Sequence, residues 1–421
     1  MIEKNKENKN STIGSSLLPI LEEYGVDIIF GIPGVHTVEI YRGLQKTSIK
    51  HITPRHEQGA GFMADGYSRV SGKPAVCLVI TGPGLTNILT AMAQARADSI
   101  PMLIISSVNP YDNKRKLSGL LHELPNQQKL LKKIAISSLT VKKTKDLIPA
   151  IKKSFFKMLE ERPGPVHLEI PTNVLNYEYQ KLKKNNLCIK KKKIKSSEKK
   201  INDVSNYLTQ AKYPILLLGG GARGCDEYIL KIVEKLSPYV ITTINARGIL
   251  GDHSMCIPAS PTLKTVRKEL KKADIVLAVG TEFGETDYDM YKDGNFPKLK
   301  KLIRVDINKN QLTKNIQPHL SIRSDAIYFF KKLSEILLVK KHYKKSSLQT
   351  PQTAKIIRKL CLKEIEPKFK VPLNLISTIS SNFPDAILVG DSTQPTYAGN
   401  LYTKTSKQGK WFNSATGYGT L

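Results

Sequence analysis

Two short apolar runs, each ending in a glycine-proline turn, constrain this chain more than any other feature. Residues 26–30 run into Gly31-Ile32-Pro33-Gly34, and residues 75–80 run into Thr81-Gly82-Pro83-Gly84. Similar runs recur at 102–106 and 166–170, with helical patterns between them and an amphipathic helix over residues 15–24 ahead of the first. Strands that alternate with helices predict an α/β fold, a parallel sheet flanked by helices on both faces. Ligands bind such sheets at the carboxyl ends of the strands, so both turns are expected on the functional edge.

The pattern restarts near Ile201. The apolar run Pro214-Ile215-Leu216-Leu217-Leu218 leads into Gly219-Gly220-Gly221-Ala222-Arg223-Gly224, and residues 273–280 and 302–306 repeat the strand-then-turn arrangement. The glycine run has two readings: a cradle for a pyrophosphate, or a tight strand-to-helix connection. A basic stretch over residues 340–355 reads as a linker. Beyond it residues 374–380 read as helix and residues 386–389 as a strand ending at Gly390-Asp391. A chain of 421 residues exceeds one ordinary core, and with 40% hydrophobic residues it can bury two or three.

The formal charge of +30 raises the question of nucleic acid. The excess is dispersed lysine, densest over residues 181–200 around Lys190-Lys191-Lys192-Lys193, with no Gly-aromatic RNA motif or zinc finger beside it. A solvated linker is the reading for that segment, and no specific nucleic-acid partner is expected. Cys77, Cys188, Cys225, Cys256 and Cys361 are scattered without a C-x-x-C pair, which supports neither a zinc site nor a disulfide framework. No apolar run approaches a membrane span and residues 1–12 are polar rather than a secretory signal, so a soluble, cytoplasmic protein without a membrane partner is expected.

Glu57 is the residue with most chemical content. It sits in Arg55-His56-Glu57-Gln58-Gly59-Ala60-Gly61, at the start of a helical pattern, with Ile52, Ala60, Phe62, Met63 and Ala64 suggesting a packed core around it. A carboxylate there is costly unless it is protonated or hydrogen-bonded. The plainer reading is a helix N-terminal Glu complementing the dipole.

The order of Phe30-Gly31-Ile32-Pro33-Gly34-Val35-His36, Arg55-His56-Glu57, Ala64-Asp65-Gly66-Tyr67-Ser68-Arg69, Gly82-Pro83-Gly84-Leu85-Thr86-Asn87 and Asp98-Ser99-Ile100-Pro101 resembles the acetolactate synthase-like family of thiamine-diphosphate enzymes. Gly390-Asp391-Ser392-Thr393-Gln394-Pro395 and Trp411-Phe412-Asn413-Ser414 through Gly417-Tyr418-Gly419-Thr420-Leu421 look closest to its 5-guanidino-2-oxopentanoate decarboxylase branch. The resemblance implies a three-domain architecture. A pyrimidine-binding domain would occupy 11–182, a basic linker 183–200, a Rossmann-like middle domain 201–340, a linker 341–362 and an incomplete diphosphate-binding domain 363–421.

It implies roles as well. Glu57 would partner N1′ of the aminopyrimidine, and a raised pKa would suit proton exchange there near neutral pH. Gly34, Gly82, Pro83, Asn87, Gln394, Gly419 and Leu421 would contact the cofactor, with Leu421 at the position of the apolar wedge between its rings. For Gln394 a structural turn role stands equally. His36 lies where benzaldehyde lyase has an active-site histidine and would transfer protons, whereas a lone His more commonly packs on a surface or core. His122 and Gln127 fall in the family's substrate-side segment, as does Glu123. Glu285 and Asp287, in an acidic string with Glu282 and Asp289, would clamp a guanidinium tail or simply cap a helix and stay solvated.

The family's Mg²⁺ is held on the cofactor's diphosphate by a Gly-Asp-Gly motif and a later Asn; neither occurs here. The metal site is therefore expected beyond residue 421, in a longer parent. Gly251-Asp252-His253-Ser254-Met255-Cys256-Ile257-Pro258 lacks the Leu-Gly-Met-His-Gly that follows Gly-Asp-His in flavin-binding synthases, which argues against FAD. Thiamine-diphosphate decarboxylation of a 2-oxo acid, with 5-guanidino-2-oxopentanoate as the candidate, is the leading expectation, in a homodimer or homotetramer with active sites between subunits. Acetolactate synthesis and a noncatalytic, cofactor-deficient relative are the alternatives.

Overall fold

The structure, a computed structural model, describes residues 11–110, 118–159, 162–179, 194–288, 296–343, 345–414 and 417–418. The described residues divide into two compact units, one within residues 11–179 and the other within residues 194–418.

In the first unit six strands, β1 (Ile28–Gly31), β2 (Lys50–Ile52), β3 (Ala75–Val79), β4 (Met102–Val108), β5 (Ser137–Thr140) and β6 (Pro165–Pro171), form one sheet in the order β2-β1-β3-β4-β6-β5. Every pairing is parallel, with Ile29 opposite Val76 and Cys77 opposite Ile104. β3, β4 and β6 are buried along their whole length, which is why they read as continuous apolar runs rather than alternating ones. Leu17, Leu21, Ile151 and Phe155 cover one face, and Ala60, Ala64, Leu85 and Met92 cover the other. The strand order turns between β1 and β3. Their carboxyl ends carry Gly31-Ile32-Pro33-Gly34 and Thr81-Gly82-Pro83, at the position where a doubly wound sheet opens a crevice.

The second unit repeats the plan. β7 (Pro214–Leu218), β8 (Tyr239–Thr242), β9 (Cys256–Ile257), β10 (Ile275–Val279), β11 (Leu302–Asp306) and β12 (Leu320–Arg323) lie parallel in the order β12-β11-β10-β7-β8-β9. Residues 351–355, expected within a linker, instead open the helix Pro351–Glu364, capped by Thr350. Ala354, Ile357 and Cys361 recur on one buried face of that helix, a three-to-four-residue spacing that the surrounding lysines obscure. The helix Pro367–Asn382 follows, and β13 (Leu388–Gly390) pairs in parallel with β14 (Trp411–Asn413). Among the described residues no helix is long and apolar enough to cross a membrane. The tetralysine, Cys188 and Asp289 lie outside the described residues.

Candidate active site

Glu57 is the first residue of the helix Glu57–Ser71, and the His56 ring before it accepts the Gln58 N–H. The carboxylate thus lies in the first turn, where the helix dipole favours negative charge. It is half-buried rather than enclosed: Ala60 and Ala64 are core, but Ile52 and Met63, expected in that core, are exposed. β2 is an edge strand, and Met63 faces away from the stripe through Ala60, Ala64 and Ser68.

What distinguishes Glu57 from an ordinary capping acid is its partner. The Asn87 side-chain amide donates to Glu57 Oε2 at 2.9 Å. Asn87 closes the one-turn helix Pro83–Asn87, whose preceding residue, Gly82, has φ 66° and ψ −115°. A Cβ on Gly82 would lie 2.5 Å from the His122 carbonyl oxygen, and one on Gly84 would lie 2.9 Å from Ile80 and 3.4 Å from Glu57 Oε1. The turn therefore requires glycine, and it leaves backbone close to the carboxylate. On the β1 side, a Cβ on Gly34 would come within 2.7 Å of Ile80, so the two glycine turns pack against each other.

The helix that carries Glu57 is held firmly. Gly61 lets it approach Ala91 of the helix Leu89–Asp98. Farther along, Arg69 bridges Asp65 and Asp98, all three side chains almost wholly buried, with Arg69 2.7 Å from Asp98. The neighbouring carboxylates keep the guanidinium charged, its pKa raised despite burial.

Two histidines complete the edge. The His36 and His122 rings lie 5.7 Å apart, edge to face, and His122 has a left-handed backbone with φ 57°. Both Nδ1 atoms are buried without a hydrogen-bond partner among the described residues, as is the side-chain oxygen of Asn109 at the end of β4. Burial, and secondarily His122, lower the His36 pKa, so near pH 7 the ring is neutral. Glu123 holds its loop by accepting the backbone N–H groups of Ser118, Gly119 and Leu120.

The fold thus brings together Gly34, His36, Glu57, Gly82, Pro83, Asn87 and His122. Gln127 turns inward and is 1% exposed, bonded on both ends of its amide inside the protein rather than presented to a ligand. Asn109 and Glu169 escaped the sequence reading; the available signal was polar side chains at the carboxyl ends of otherwise apolar strands. In the second unit, Asp287 accepts the Ile244 N–H at 2.9 Å, a capping role, while Glu285 is exposed in the first turn of the helix Glu285–Tyr288. Gln394 is exposed at the start of the helix Gln394–Leu401. Gly419 and Leu421 lie outside the described residues.

The Gly219-Gly220-Gly221 run sits at the second sheet's own crossover point, between β7 and β10, yet it closes that crevice. Gly219 packs on the Gly280 carbonyl, and the Gly219 and Gly221 N–H groups donate to Val279 and Gly280. Of its two readings, the structure shows the tight connection, with those two amides already engaged.

A glycine-rich sheet edge bearing a tethered carboxylate defines a ligand-binding parallel α/β protein, and comparison with known proteins makes this specific. The profile of the thiamine pyrophosphate enzyme N-terminal TPP binding domain matches residues 11–130, and that of the thiamine pyrophosphate enzyme central domain matches residues 201–333. The protein named "Probable 2-ketoarginine decarboxylase AruI" of Pseudomonas aeruginosa is 36% identical over 420 residues, covering 98% of this chain and 73% of that protein. The acetolactate synthase isozyme 1 large subunit of Escherichia coli is 32% identical over 330 residues, 76% of this chain and 56% of its own. The acetolactate synthase large subunit of Buchnera aphidicola subsp. Acyrthosiphon pisum is 31% identical over 422 residues, covering 95% and 71%. The chain belongs to the thiamine pyrophosphate enzymes.

The residues present fit that cofactor. Glu57 is tethered through one oxygen, a glycine turn leaves backbone beside the other, and His36, His122 and Asn109 hold unmatched polar atoms at the same edge. Among the described residues no three His, Cys, Asp or Glu side chains gather as a metal site.

Proposed function

We propose that this chain carries the pyrimidine-binding half of a thiamine-diphosphate site and serves the decarboxylation of a 2-oxo acid with a basic tail, 5-guanidino-2-oxopentanoate being the candidate. The Glu57–Asn87 pair beneath the Gly82–Gly84 turn supports this most directly, and the 36% identical relative is named for the same chemistry. When bound, thiamine diphosphate supplies the carbanion that adds to the 2-oxo carbon and accepts the electron pair as CO₂ leaves.

The protein's part is proton control and orientation. Glu57, its Oε2 fixed by Asn87, would offer Oε1 to the aminopyrimidine N1′ and exchange a proton there. Gly82, Gly84 and Gly34 would let the ring lie against backbone. Neutral His36 beside His122 would accept and return one proton near the reacting carbon. By resemblance, Pro83, Gln394, Gly419 and Leu421 remain proposed cofactor contacts. Glu285 remains the candidate for a guanidinium tail, since one oxygen of Asp287 is already occupied. Mg²⁺, its ligands outside the described residues, the three-domain boundaries, a homodimer or homotetramer and a cytoplasmic location belong to the same proposal.

The test is C2–H exchange in bound cofactor. Glu57→Gln should retain the fold and slow exchange by at least about 100-fold, the scale of a general acid-base contribution; unchanged exchange would remove Glu57 from the mechanism. The acetolactate synthase reading draws on the 31–32% identical relatives, and acetolactate formed from pyruvate alone would favour it.

A further inference from the structure

Gln127 is 1% exposed, at the first position of the helix Gln127–Ile134, entered through Asn126 with φ 48°. Its Oε1 accepts the Thr81 hydroxyl at 2.8 Å. Its Nε2 faces Ser106 Oγ at 3.0 Å, the Ser107 carbonyl at 3.1 Å and Glu169 Oε2 at 3.2 Å. One amide therefore joins the carboxyl ends of β3, β4 and β6. Thr81 reinforces the junction by donating its N–H to Ser107 Oγ, and Glu169, wholly buried, also accepts the Thr140 hydroxyl.

Two features connect this junction to the site. Thr81 immediately precedes Gly82, whose Cα faces the His122 carbonyl, and the Thr81 hydroxyl itself lies 3.4 Å from that oxygen. Gln127 follows His122 by five residues, so one side chain anchors the loop at its base while gripping the turn on which the loop rests. We infer that Gln127 is a positioning residue, which locks the Gly82 turn and the His122 loop together and thereby sets His122 against His36. An amide suits this place because it offers an acceptor and two donors in one plane. Methionine would leave the Thr81 hydroxyl and the acceptors of β4 and β6 without that partner, and glutamate would set a second carboxyl against Glu169.

The consequence for turnover rests on the function proposed above, but the positioning does not, so it can be tested without cofactor. NMR titration of ring-labelled histidines in the 421-residue chain reads the His36 environment. In Q127M, release of His122 should open the His36 ring to solvent and move its midpoint upward toward the ordinary imidazole range, since burial and then His122 hold it down. Ser154→Ala removes a buried bond to the Ala150 carbonyl within the helix Leu147–Leu159, outside this network, and should leave the His36 curve in place even if stability falls. If Q127M does not fold, Thr81→Val removes the same hydrogen bond from the other side and should shift His36 in the same direction. An unshifted His36 in a folded Q127M or T81V, or an equal shift in S154A, would overturn the inference. Unchanged C2–H exchange in Glu57→Gln would instead refute the functional reading alone.

Discussion

Replacing Gly82 with alanine brings two physical costs together, a backbone conformation that favours glycine and a contact with the His122 loop. Gly82 and Gly72 both have positive φ, 66° and 71°, but a Cβ on Gly72 meets nothing within 4 Å whereas one on Gly82 meets the His122 carbonyl oxygen at 2.5 Å. Gly72→Ala should therefore lose only the left-handed penalty, about 1–2 kcal/mol. At Gly82, φ 66° with ψ −115° lies outside the αL region, a backbone cost of about 1–3 kcal/mol for alanine, and overpacking against backbone that cannot rotate away adds about 1–3 kcal/mol more, for a total of about 2–6 kcal/mol. The expected signature is local as well as larger: amide hydrogen exchange over residues 75–108 and 118–126 should accelerate in G82A and stay near wild type in G72A. Equal losses in the two variants, or protection over 118–126 unchanged in G82A, would refute the claim that this turn is shaped by contact with the His122 loop.

Three further outcomes can be checked. Arg69→Met leaves Asp65 and Asp98 buried without their common cation and should cost about 3–5 kcal/mol in denaturant unfolding of the first unit. His167 is fully buried between the Ser106 and Ser138 hydroxyls, with its pKa lowered to about 3 by desolvation. Its folded pKa lies below the unfolded one, so its contribution is complete above about pH 6.5 and is lost as pH falls toward 3. The slope is about 1.4 kcal/mol per pH unit, and H167Q should flatten it by one proton. Burial pushes the Cys225, Cys256 and Cys361 thiols up to about 12 and Cys77 higher still, so a folded C188S variant should show no rapid labelling by a disulfide reagent at pH 8.

Strands β1, β3, β4, β6, β7, β10 and β11 were legible because burial on two faces demands apolar runs and a sharp exit demands glycine or proline, whereas the short β2, β5, β8, β9 and β12 were not read as strands. Helix Pro351–Glu364 was not, because its one buried stripe of Ala354, Ile357 and Cys361 is thin and lysines surround it. The environment of Glu57 was read too deep: Ile52 and Met63 are apolar but lie on an edge strand and on an outward helix face, which composition cannot distinguish from core.

By itself, the sequence determined that this is a parallel α/β protein, where its carboxyl edges lie, and that a Glu, an Asn and a set of glycines of the thiamine-diphosphate type occur in order. Hydrophobic period and turn chemistry are local properties, written in contiguous residues. Which side chains meet was decided only by the tertiary structure. Glu57 finds Asn87 30 residues away, and Gln127 turns from the solvent edge to join Thr81, Ser106 and Glu169. The second glycine run closes on Gly280 instead of opening to a ligand. Each of these outcomes depends on how strands far apart in the chain align side by side, and a buried polar group takes whatever partner that alignment brings within reach.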